Sequence, residues 1–120
     1  MKILIVEDSK AMRIIIQRTL RLAGVAPGAT VAEVSNGAEA LAAIRAAMPD
    51  LVLSDWNMPQ MSGIELLEEL QRRGQRPARF GFVTTESTSE MRQRAMASGA
   101  SFFITKPFTP ASFAQALLPG

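Results

Sequence analysis

At 120 residues, 48% hydrophobic and 20% charged, the sequence has the balance of one ordinary globular domain, with enough apolar material for a core that needs no staples. It contains no Cys and no His, which excludes disulfides, thiolate chemistry, imidazole bases and nitrogen- or sulfur-ligated metals. The net charge of +2 comes mainly from Arg residues dispersed over helical segments, a solvated surface rather than the contiguous basic face that nucleic acid requires.

The start, Met1-Lys2 then Ile3 to Val6, meets Glu7-Asp8 too soon for a secretory leader. No apolar run approaches the ~20 residues that span a bilayer. A cytoplasmic location is expected, with no membrane and no direct nucleic-acid partner.

Ile3-Leu4-Ile5-Val6 reads as a parallel strand covered on both faces. From Ser9 to Leu22, Met12, Ile15, Ile16, Thr19 and Leu20 recur at helical spacing, and Gly24 to Gly28 breaks that helix. Val31 to Val34 is a second strand, and Asn36 caps a helix with Glu39 three residues on. Leu51-Val52-Leu53 follows as a buried strand, and Ser62-Gly63-Ile64-Glu65 fits a capping box for a third helix through Leu70. Phe80 to Val83 is the fourth strand. Ser87 with Glu90 predicts the cap of a fourth helix ending near Gly99. Phe102-Phe103-Ile104 is the fifth strand. Thr109-Pro110 opens a fifth helix whose apolar face is Phe113, Ala114, Leu117 and Leu118. Five strand–helix units in strict alternation predict an α/β fold, a doubly wound parallel sheet with helices on both faces.

In such sheets ligands bind beyond the carboxyl ends of the strands. There the sequence places Glu7-Asp8, Asp55, Thr84-Thr85 and Lys106. Two carboxylates about 4 Å apart repel by about 4 kcal/mol at an effective dielectric near 20. Three acids against one Lys leave a formal charge of −2, which a hard divalent cation with oxygen ligands would compensate. A cation beside a carboxylate, a Lys and a Thr hydroxyl suits phosphoryl transfer, with Asp55 best placed as the nucleophile. An aspartyl-phosphate phosphatase would want a second Asp two residues on, and position 57 is Asn.

Glu7-Asp8 after an apolar strand, Asp55-Trp56-Asn57-Met58-Pro59 with Met61-Ser62-Gly63, Val83-Thr84, and Lys106-Pro107-Phe108 together resemble the receiver domain of bacterial response regulators. The likeness spans nearly the whole chain, 1–120 as one domain, and is greatest to single-domain chemotaxis regulators. It implies a flavodoxin-like (βα)5 sheet of order 2-1-3-4-5 and a part in two-component phosphorelay, in chemotaxis or motility. Asp55 would be the phosphoacceptor, with Thr84 and Lys106 completing the site. Asp8, Asp55 and the Asn57 main-chain carbonyl would ligate Mg²⁺ (or Mn²⁺), with Glu7 in the outer sphere. Thr84 and Phe103 would form the switch, Asn57 and Glu86 would tune the phosphoryl lifetime, and the Lys106-Pro107 bond would be cis. Phe103 replaces the frequent Tyr of the family and has no hydroxyl to bond outward.

The implied partners are a histidine kinase or phosphotransfer protein and a downstream protein at the face of helix four, strand five and helix five. Met91, Arg92, Met96, Phe103 and Phe108 are candidates for that face. The implied activity is self-phosphorylation and autodephosphorylation, not turnover of an external substrate. The expected form is a monomer or a weak phosphorylation-dependent dimer. Pro119-Gly120 is read as a terminus, so a stand-alone receiver is expected; the alternatives are the N-terminal receiver of a larger transcriptional or enzymatic regulator, or a phosphate sink.

Overall fold

Apolar runs too short for helices and too continuous for a one-sided sheet become the central layer of the protein. The computed structural model describes residues 1–85 and 87–118, and Glu86, expected to tune the phosphoryl lifetime, lies outside them. Among the described residues the order is β1 (Lys2–Val6), α1 (Lys10–Leu22), β2 (Thr30–Val34), α2 (Gly37–Ala46) and β3 (Leu51–Ser54). It continues with α3 (Gly63–Arg72), β4 (Arg79–Thr84), α4 (Ser89–Ala97), β5 (Phe102–Thr105) and α5 (Pro110–Leu117). All neighbouring strands pair in parallel in the order β2-β1-β3-β4-β5, the flavodoxin-like arrangement expected.

Strand alternation divides the core in two. Ile3, Ile5, Leu51, Leu53 and Val83 meet Ile16 and Leu20 of α1 and Phe113 and Leu117 of α5. Leu4, Val6, Val52, Phe80 and Phe82 meet Ala40 and Ile44 of α2, Ile64, Leu67 and Leu70 of α3, and Ala95 of α4. No helix among the described residues is long and apolar enough to cross a membrane.

Three expectations are corrected. The cap of α4 is Thr88, whose hydroxyl accepts from the Met91 N–H, not Ser87. Ser87, Thr88 and Ser89 offer the same chemistry in a row, and the cap is the one whose third following N–H lies within reach. Ile15 stands 45% exposed although it fits the helical period, because α1 turns Ile16 and Leu20 inward and its neighbour off the seam. Leu118 follows the last turn of α5 as its C-cap, in extended conformation and exposed, so it adds nothing to the apolar face.

Candidate functional site

The ends of β1, β3, β4 and β5 deliver groups to the same rim. β1 ends at Val6, and the next residue, Glu7, is held by its N–H to the Val34 carbonyl at 3.1 Å. β3 ends at Ser54, and the Asp55 N–H continues the ladder to the Val6 carbonyl at 2.9 Å. β4 ends at buried Thr84, whose carbonyl accepts the Lys106 N–H at 2.8 Å and so sets the start of the loop after β5. Residues about a hundred positions apart meet by this route, since the Lys106 ammonium lies 2.8 Å from Glu7 Oε1 and 3.7 Å from Asp55 Oδ2.

The carboxylates are individually fixed. Glu7 is 2% exposed; its Oε2 accepts from the Ser9 N–H at 3.0 Å while Oε1 takes Lys106. Asp55 is half-buried; its Oδ1 accepts from the Trp56 N–H at 2.7 Å, which leaves Oδ2 directed at Lys106. Asp8 is exposed. One oxygen from each of Glu7, Asp8 and Asp55 lies within 4.8 Å of the others. Burial raises the Glu7 carboxyl above its ordinary range; the Lys106 bond opposes this, and Asp8 and Asp55 add to the rise. A single ammonium does not neutralise three carboxylates, and the donors are all oxygen. The cluster therefore fits a hard divalent cation of the Mg²⁺ kind.

The loop after β3 is shaped by close approach. A Cβ on Gly63 would lie 2.1 Å from the Asp55 carbonyl oxygen, and the Gly63 N–H donates to the Trp56 carbonyl at 2.7 Å. Glycine is needed there for space, so the Ser62–Gly63 start of α3 can buttress the Asp55 main chain. Asn57 stands exposed in this loop, Thr85 is exposed after β4, and the Lys106–Pro107 bond is cis.

An aromatic chain leads away from the rim. Trp56, buried beside Asp55, packs on Phe82 (5.0 Å between centroids) and on Phe103 (6.2 Å). Phe103 is half-buried in β5, and the Arg92 guanidinium of α4 lies 4.8 Å above its ring. Phe103, Pro107 and Phe108 also line an open groove of about 440 Å³ between the end of β5 and α5.

Glu7, Asp8, Asp55, Thr84 and Lys106 are expected on one rim, and the structure brings the three acids and Lys106 together there. Arg13, expected only as part of a solvated basic surface, also reaches this region and donates to the Glu7 carbonyl at 2.8 Å. The available signal was a basic residue in the first turn of a helix, where the dipole disfavours it.

Comparison with known proteins adds independent findings. Residues 3–118 match the family model of the response regulator receiver domain. The chain is 35% identical over 116 residues to the chemotaxis protein CheY1 of Helicobacter pylori, covering 92% of this chain and 88% of that one. It is 35% identical over 118 residues to the chemotaxis protein CheY-3 of Vibrio cholerae, covering 98% and 88%. Among solved structures, the Vibrio cholerae chemotaxis protein CheY4 superposes with a TM-score of 0.83 at 34% identity, covering 97% of this chain and 94% of that one.

Proposed function

Since the chain belongs to the response regulator receiver domain family and is CheY-like over nearly its whole length, we propose that it is a signalling switch phosphorylated on Asp55. The donor is the phosphohistidine of a histidine kinase or phosphotransfer protein. The observation that carries this reading is the meeting of Glu7, Asp8, Asp55 and Lys106 at strand ends far apart in sequence.

Asp8, Asp55 and the Asn57 main-chain carbonyl would hold Mg²⁺, or Mn²⁺ in its place, with Glu7 acting through water. When bound, the cation offsets charge on the phosphoryl oxygens. Asp55 attacks phosphorus through a carboxylate oxygen; the O–P bond forms as the P–N bond breaks, and the imidazole leaves with the electron pair and takes up a proton. The Lys106 ammonium pairs with one phosphoryl oxygen, and the Thr84 hydroxyl donates to another. That bond draws on Thr84, and Phe103 follows, so the face of α4, β5 and α5 changes for a downstream protein. Asn57 and Glu86 set how long the acyl phosphate lasts. The relatives named above are chemotaxis proteins, which favours a target in motility.

The test is a titration of Mg²⁺ followed by beryllofluoride, a phosphoryl mimic, read by the fluorescence of Trp56. The wild type should give a saturable, Mg²⁺-dependent change that Asp55→Asn and Asp55→Ala abolish. A wild type that gives none contradicts the reading.

A further inference from the structure

Arg13 stands where helix electrostatics argue against it. It lies in the first turn of α1, where the free amide ends disfavour a cation, and no acidic residue shares that turn. Its guanidinium is committed elsewhere. Nη1 donates to the Glu7 carbonyl at 2.8 Å, and Nε donates to Oε1 of Glu33 on β2, also at 2.8 Å. The other Glu33 oxygen accepts from Gln17 Nε2, one turn further along α1. The Arg13 side chain is 16% exposed, against 71% for the surface pair donor Arg72, so its bond to the Glu7 carbonyl is partly shielded from water, while the Glu33 carboxylate that anchors it lies nearer the surface.

The peptide whose oxygen Arg13 holds is the one joining Glu7 to Asp8. The Glu7 N–H is already fixed to Val34, and its carboxylate to Lys106 and Ser9. Holding the carbonyl fixes the plane of the next peptide, from which the Asp8 side chain projects. We propose that Arg13, anchored by Glu33, is the positioning residue that aims Asp8 into the cation site. The inference rests on the reading of the acidic rim as that site.

Charge and geometry make opposite predictions here. A guanidinium near a cation site repels the cation, so if charge decided the matter, removing Arg13 would tighten binding. If geometry decides, removal weakens it, as loss of an outer-shell partner does, by about ten- to a hundredfold. The Glu33 carboxylate, 2.8 Å from the guanidinium, opposes that repulsion, and geometry is taken as the larger effect.

Mg²⁺ affinity is measured by calorimetry on the full chain as wild type, Arg13→Gln, Arg13→Lys and Glu33→Gln, alongside thermal melts with and without Mg²⁺. Arg13→Gln should raise the dissociation constant about tenfold or more and shrink the Mg²⁺-induced rise in melting temperature. Arg13→Lys should recover part of the affinity. Glu33→Gln should weaken binding more at low ionic strength than at high, because it leaves the guanidinium uncompensated. Unchanged or tighter binding by Arg13→Gln, or a lower melting temperature with the Mg²⁺ increment intact, overturns the inference while wild-type binding keeps the functional reading. A wild type that binds no Mg²⁺ overturns both.

Discussion

Burial of Glu7 beside Asp8 and Asp55 raises its carboxyl above the ordinary value of 4.5, although the Lys106 bond opposes the shift. The folded chain therefore holds this proton more tightly than the unfolded chain does. Without a cation, stability falls as pH rises from 4.5 through the raised folded value. A bound cation reverses the preference, because it competes with the proton for the same carboxylates. Mg²⁺ affinity should thus fall as pH is lowered through that window, and Glu7→Gln should flatten the profile when both are titrated calorimetrically. At the same scale, Gly63→Ala drives a methyl against the Asp55 carbonyl at 2.1 Å and the Phe82 ring at 2.9 Å. Overpacking of this kind costs about 1–3 kcal/mol, to be read by urea unfolding, and should weaken Mg²⁺ binding through the displaced Asp55. That Glu7 shares a rim with Asp8, Asp55 and Lys106 was legible in the sequence; its burial, and the approach of Gly63 to the Asp55 carbonyl and the Phe82 ring, were not. The strand pattern gives the rim, whereas how deeply Glu7 is buried and what Gly63 touches depend on packing that only the fold sets.

At the scale of elements, α3 is the helix whose first turn buttresses Asp55, and its start is secured by a reciprocal capping box. The Ser62 hydroxyl accepts from the Glu65 N–H at 3.3 Å, and the Glu65 carboxylate accepts from the Ser62 N–H at 2.9 Å. That bond lowers the Glu65 pKa from its ordinary 4.5, so its contribution is present above 4.5 and is lost as pH falls through the folded value. Ser62→Ala should cost about 1 kcal/mol. The melting-temperature gap between wild type and Glu65→Gln should close as pH drops through the folded value. This cap was legible because Ser-x-x-Glu is local chemistry, complete within four residues. The cap of α4 was misplaced by one because Ser87, Thr88 and Ser89 carry the same chemistry, and only backbone geometry chooses among them. In α1, periodicity selected the stripe correctly except at Ile15, since a 3.6-residue period sets the angle of a face but not how wide a face the neighbouring α5 covers.

Over the whole molecule, strict alternation of apolar runs and amphipathic segments dictated the parallel sheet, and parallel strands dictated that all carboxyl ends share one rim. Those two steps brought Glu7, Asp8, Asp55, Thr84 and Lys106 to attention before any geometry was known. Strand order is a different matter. Alternation is equally compatible with other doubly wound orders, so seating β3 at the centre with β1 beside it came from the family resemblance. The tie from Arg13 across to Glu33 on the edge strand β2 was hidden for the same reason. The central claim is that this rim exists to let Asp55 accept a phosphoryl group. It is tested most directly by incubating the chain with acetyl phosphate and Mg²⁺, then locating the covalent phosphoryl group by mass spectrometry after reductive trapping of the acyl phosphate. The account predicts one Mg²⁺-dependent modification, on Asp55 and absent from Asp55→Asn. Failure of the wild type to be modified, or a modification that persists in Asp55→Asn, would contradict it.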